Sequence, residues 1–145
     1  AFLESQATAA ATPEQRAVFD SFRLTAYLTI EQPEKAVTML QQSERHLPDD
    51  YNPPARLALA YKAMSKYDDA IAASNRALAK VYGPRKIRVL LNLADIFSAK
   101  GDAAAERKTL EETLGIAESL PAGQRSDGAI VMIKKKLEGP TPPKQ

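Results

Sequence analysis

The stretch LALAYKAMSKYDDAIAASNRAL, Leu57 to Leu78, decides how this chain is built. Its first half puts Leu57, Ala58, Tyr61 and Met64 on one helical face. Its second half puts Ala70, Ile71, Ser74, Ala77 and Leu78 on another. The polar corner SKYDD (residues 65–69) lies between them, and Asp68 and Asp69 suit the positive N-terminal end of a new helix. A single helix would have to bury two differently oriented faces and the charged corner joining them. The spacing therefore predicts two helices folded back into a hairpin.

The same punctuation continues outward. Thr12-Pro13-Glu14-Gln15 reads as a helix start, with Thr12 as cap, Pro13 in the first turn and Gln15 completing a capping box. Val18, Phe19, Phe22, Ala26, Tyr27 and Ile30 follow at helical spacing and are expected to form its buried face. Pro33 ends that helix and opens another, which carries Ala36, Val37, Leu40 and Leu47 and stops near Pro48. Asn52 is the expected cap of the helix containing Leu57. Gly83-Pro84 is a further stop and start, followed by Leu90, Leu93, Ala94 and Phe97. Gly101 turns the chain, and Asp102 is placed to cap a helix through Leu110, Leu114 and Ile116. A last helix is predicted from about Asp127 to Glu138, with Ile130, Ile133 and Leu137 on one stripe. No segment alternates in the manner of a strand with hairpin turns. Seven helical segments result, and the fold class is all-α.

Composition fits a globular chain. The 145 residues are 44% hydrophobic and 26% charged, with a net charge of +2. That slight basic excess gives no argument for nucleic acid. No stretch approaches the apolar length of a membrane span. There is no cysteine, so disulfides and thiolate metal sites are excluded. The chain opens on Ala1 instead of methionine, as expected for a processed chain or an excised piece. Cytoplasmic residence and export after signal cleavage both fit.

Placed over one another, the hairpins repeat. Tyr27 and Tyr61 are 34 residues apart, as are Ala36 and Ala70, and Val37 and Ile71. Phe97 lies 36 beyond Tyr61, and Gly101 lies 36 beyond Ser65. A helix-turn-helix period of about 34 residues resembles the tetratricopeptide repeat family. The second unit resembles it most closely, through Leu57, Ala58, Tyr61, Tyr67, Ala70, Ala77 and Leu78. The third matches at Leu93, Ala94, Phe97, Gly101 and Leu110, and the first at Tyr27, Ala36, Leu40 and Pro48. Arg23 departs from the pattern, standing where a large apolar residue is expected; Glu106 and Thr113 stand where small ones are. The resemblance implies an α-α superhelix of stacked antiparallel hairpins at about 13–47, 51–82 and 84–120, with a capping helix at about 127–138. Residues 1–11 are expected as an N-terminal arm or frayed helix, 12–138 as the helical domain, and 139–145 as a disordered tail.

Little in the chain suggests catalysis. His46 is the one histidine, and it sits beside Arg45 at a helix end, where a cation is favoured. It forms neither a zinc site nor a dyad. The acidic pairs Asp49-Asp50, Asp68-Asp69 and Glu111-Glu112 are more simply capping or solvated groups. Lys134, Lys135 and Lys136 read as the solvated last turn of a helix. No cofactor is expected.

In the family resembled, the first helix of each hairpin lines a concave groove. By that resemblance Ser21, Thr25 and Leu28 line it in the first unit, Asn52, Arg56, Leu59 and Lys62 in the second, and Arg88, Leu91, Asn92 and Asp95 in the third. Some members clamp a peptide carboxylate, but Ser21 and Thr25 stand where the clamp needs lysine and asparagine, so that clamp is not assigned. The partner-binding candidates are Arg56, Leu59, Lys62, Arg88, Asn92 and Asp95; Arg56 and Arg88 are expected on one surface with no acid at helical spacing to neutralise both, Asp95 being placed to pair with Arg88 alone. The resulting expectation is a scaffold module, not an enzyme, presenting its groove to a peptide or helix of another protein, with an acidic group as the favoured ligand. A structural or dimerising appendage of a larger, enzymatic chain is the alternative.

Overall fold

The computed structural model describes residues 1–139, so all of the expected tail except Gly139 lies outside the described residues. Regular structure among them is entirely helical: α1 (Phe2–Ala9), α2 (Pro13–Ala17), α3 (Asp20–Thr29), α4 (Pro33–His46), α5 (Asn52–Ala63), α6 (Tyr67–Leu78), α7 (Pro84–Lys100), α8 (Ala103–Ser119) and α9 (Asp127–Glu138). Two helices exceed the seven expected. Residues 2–9 form a helix with Ala7 buried, and the segment after Thr12 is broken into α2 and α3.

Local chemistry accounts for most boundaries. Proline occupies the first turn of α2, α4, α5 and α7, where its missing N–H costs nothing. Thr12, Asp102 and Ser126 each accept a backbone N–H three residues ahead and so cap α2, α8 and α9. The Gln15 side chain accepts the N–H of Ala11.

The repeat is written into the helix ends. The N–H groups of Gln32, Lys66 and Asp102 donate to the carbonyls of Tyr27, Tyr61 and Phe97 at 2.8, 2.9 and 2.9 Å. One residue inward, Glu31, Ser65 and Gly101 donate to Leu28, Lys62 and Ser98 at 3.2, 2.9 and 3.0 Å. This pair of bonds is the Schellman termination, which needs a left-handed residue. Glu31, Ser65 and Gly101 have φ of 55°, 56° and 84°. The aromatic repeat in the sequence thus marks three equivalent hairpin corners, of which one uses glycine.

The chain divides into two compact units, Ala1–Lys80 and Val81–Gln145. In the first, α3–α4 and α5–α6 form hairpins, α4 and α3 pack on α5, and α1 and α2 lie against α3. Leu24, Ala36, Leu40, Leu57, Ala58, Ala70, Ala73 and Ala77 are buried there. The alanines let helices approach closely while the leucines fill the remaining space. In the second unit, α7 and α8 form a hairpin and α9 packs on α8. Ile87, Ala94, Leu110, Ala117 and Ile133 make its core, with Ile130 and Leu137 packed beside it.

One sequence expectation is overturned in α3. Val18, Phe22 and Ile30 are 65%, 62% and 55% exposed, whereas Asp20 and Leu24 are buried. The chain turns at Val18 and Phe19, where the Phe19 N–H bonds the Arg16 carbonyl at 3.1 Å. Apolar spacing counted across that break loses its phase. The inward face of α3 runs through Asp20, Leu24 and Tyr27, and the row Val18, Phe22, Ala26, Ile30 faces solvent.

Candidate functional site

The first candidate surface lies on α5. Its phase is set by buried Pro53 and Pro54 in the first turn and by buried Leu57, Ala58 and Ala60 behind them. Arg56, Leu59 and Lys62 fall on the opposite, half-exposed side. Asn52 is occupied otherwise than expected: its N–H and side-chain amide both donate to Asp50 Oδ1, at 2.9 and 2.8 Å, so Asp50 organises this helix start. Arg56 and Lys62 make no side-chain hydrogen bond or ion pair with the described residues.

Arg56 nevertheless has a charged neighbour that the sequence did not reveal. Asp20 is fully buried, accepts the Ser43 hydroxyl at 2.6 Å and lies 3.7 Å from the Arg23 guanidinium. Burial pushes its carboxyl above the ordinary value, against the opposing pull of Ser43, Arg23 and Arg56. Arg23 in turn donates through Nε and Nη2 to Glu4 at 3.3 and 2.9 Å. The Tyr27 hydroxyl donates to the same Glu4 carboxylate and is the main cause of its pKa lying below the ordinary value. This network explains why arginine is tolerated at position 23: its charge is shared between two carboxyl groups and its side chain is only 12% exposed. The sequence signal was Asp20 and Arg23 three apart, easily taken for a solvated pair.

The second candidate surface lies on α7. Arg88 is exposed, and Asn92 and Asp95 are half-buried on the same helical side. Arg88 makes no ion pair among the described residues. Asp95 does not turn to Arg88; its carboxylate accepts Lys136 Nζ from α9 at 2.8 Å. Lys134 likewise reaches Glu118 at 2.8 Å, so two of the three lysines expected as free surface are paired. Leu91, expected in the groove, packs against the core of its unit.

Among the described residues no group of three or more His, Cys, Asp or Glu side chains gathers to hold a metal. None of the described helices is long and apolar enough to cross a membrane.

Comparison with known proteins agrees with this construction. The family model described as tetratricopeptide repeat matches residues 51–119. The chain is similar in structure to PcrH, solved in complex with the chaperone binding region of PopD, with a TM-score of 0.69 and 13% identity over 90% of this chain and 94% of that one. It is similar to the N-terminal domain of stress-induced protein-1 from C. elegans, with a TM-score of 0.65 and 13% identity over 90% and 99% of the two chains. The Yersinia enterocolitica type III secretion translocator chaperone SycD gives a TM-score of 0.62 and 17% identity over 90% and 98%. No curated protein sequence matches the chain significantly. Hairpin corners repeat at Glu31, Ser65 and Gly101, and within the chain it is residues 51–119 that match the tetratricopeptide repeat family.

Proposed function

We propose that the protein is a binding module that holds an extended peptide or a helix of a partner protein against the first helices of its hairpins, without catalysis. The observation that carries this reading is the outward side of α5: Arg56, Leu59 and Lys62 are half-exposed, with the two cations free of ion pairs. An apolar side chain between two unpaired cations suits a partner that combines an apolar anchor with an acidic group. Within the second unit, Arg88 and Asn92 on α7 offer a surface of the same chemistry, with Asp95 adding a carboxylate already shared with Lys136. The structural likeness to a chaperone solved with a partner segment supports the reading.

The test is selection of binders from a displayed peptide library, followed by titration against Arg56→Ala, Leu59→Ala and Arg88→Ala. Loss of a charge-assisted contact should weaken binding by about 1.5–3 kcal/mol while the circular dichroism spectrum is retained. Equal affinity in all three folded variants would place binding elsewhere.

A dimerising appendage is the second reading. It is favoured by the exposed row Val18, Phe22, Ala26 and Ile30, since solvent-facing apolar rows mark contact surfaces. Sedimentation equilibrium of the parent and Phe22→Asp separates the two readings: a dimer abolished by the substitution supports the appendage.

A further inference from the structure

A second site lies away from α5 and α7, in an open pocket of about 210 Å³ lined by residues of α1, α2, α3 and α4. Its polar lining is Thr8, Arg16, Arg23, Gln42, Ser43 and His46. We infer that this cavity binds a small oxyanion, a carboxylate or a phosphate, through the guanidinium of Arg16.

The argument begins with an unmatched donor. Arg16 Nε is buried and makes no hydrogen bond. Arg16 also forms no ion pair with the described residues. A buried charged donor without an acceptor is costly, and the cost is relieved when a ligand brings the acceptor. The nearby carboxyl groups are committed elsewhere. Glu4 is held by Arg23 and Tyr27, and Asp20 is held by Ser43 beside Arg23.

The rest of the lining suits an oxyanion. Gln42 and His46 are one turn apart on α4, exposed, and without side-chain partners among the described residues. They place an amide and an imidazole beside the cavity that holds the guanidinium. The Ser43 hydroxyl and the Arg23 fork are already engaged, which leaves Arg16, Gln42 and His46 as the free donors. The guanidinium fork matches two oxygens of a planar or tetrahedral anion. Drug-sized ligands occupy cavities of roughly 300–1,000 Å³, so this smaller volume selects a single anionic group.

The test is a nuclear magnetic resonance titration of the whole chain, following the Arg16 Nε–H resonance and the amides of Thr8, Gln42 and His46. The probes are inorganic phosphate, and a short peptide with a free terminal carboxylate against its amidated form, with chloride at equal ionic strength as the blank. Saturable shifts with phosphate alone would support a free anion as the source. Saturation by the free-carboxylate peptide, but not the amidated one, would support a peptide source. Either response should weaken by about tenfold or more in Arg16→Gln, as expected for one charge-assisted bond. Chloride-like linear drift with every probe, or full binding by a folded Arg16→Gln, would overturn the inference. If that variant does not fold, the Arg16 resonance in the parent still decides. Because the cavity and the α5 surface share no residue, failure of one leaves the other standing.

Discussion

Glu44 on α4 and Arg76 on α6 form a two-point clasp, with Nε donating to Oε1 at 2.8 Å and Nη2 to Oε2 at 3.0 Å. It links the second helices of the two hairpins in the first unit, across 32 residues of sequence. Lys80 stands 4.0 Å from the same carboxylate. The Arg76 hydrogen bonds hold the Glu44 carboxyl below its ordinary value.

Arg76→Met should therefore lower stability at neutral pH, by only about 0.5–1 kcal/mol, because Arg76 is 46% exposed and solvent screens the pair. A depressed carboxylate stabilises above its unfolded pKa, and that contribution is lost as pH falls through the folded value. The urea midpoints of parent and variant should accordingly converge on acidification. A gap constant with pH would show that lost packing, not charge, is responsible.

Asp20 should behave with the opposite sign. Its folded pKa is raised, so its contribution is complete below the unfolded value and is lost as pH rises through the folded one. Asp20→Asn keeps an acceptor for the Ser43 hydroxyl and removes the titration. Thermal unfolding over a weakly acidic series should show the parent losing ground to the variant as pH increases. Glu4 and Glu44, both lowered, are present in both proteins and cancel in the difference. A parent that gains on Asp20→Asn as pH rises would contradict the burial argument.

Two of the three hairpin corners carry a side chain in the left-handed region, Glu31 and Ser65, where the third has Gly101. A β-carbon there costs roughly 1–2 kcal/mol, partly offset by the greater freedom glycine gives the unfolded chain. Ser65→Gly and Glu31→Gly should each stabilise by about 0.5–1 kcal/mol in denaturant titrations. Lys35→Gly, in the exposed side of α4, should destabilise by about 1 kcal/mol and serves as the contrast. Destabilisation by all three would mean that the corners are not the strained positions.

Helix α9 is proposed as the cap of the second unit. Ile133 is fully buried in a core with Ile87, Ala94, Leu110 and Ala117, and Lys134 and Lys136 tie the helix to Glu118 and Asp95. Truncation after Gly123 should uncover that apolar face and cause self-association, since helical arrays need a polar terminal element. Light scattering of the truncated chain checks this; a stable monomer would remove the capping role.

The family resemblance was legible because short-range effects create it. Proline in the first turn of α2, α4, α5 and α7, side-chain caps at Thr12, Asp102 and Ser126, and the aromatic residue four before each corner all act within one or two helical turns. Such effects leave a pattern of fixed spacing, and the 34-residue period of Tyr27 and Tyr61 is that pattern seen from a distance. The candidate surface was legible only in part. Arg56, Leu59 and Lys62 share the outward side of α5 because Leu57, Ala58 and Ala60 take the inward side.

What the sequence determined by itself was the helices, their corners and their repetition, since each depends on neighbours a few bonds away. What only the tertiary structure decided was which side of α3 turns inward and which charges meet. A break of two residues at Val18 and Phe19 rotated the helix, burying Asp20 and exposing Phe22. The Glu4 partner of Arg23, the Glu44–Arg76 pair and the Lys136 partner of Asp95 are separated by 19, 32 and 41 residues. Spacing along one helix carries no information about a carboxylate supplied by another. Only packing brings Asp20 onto the Ser43 hydroxyl and within electrostatic reach of Arg56, and buries Arg16 Nε without a hydrogen-bond partner.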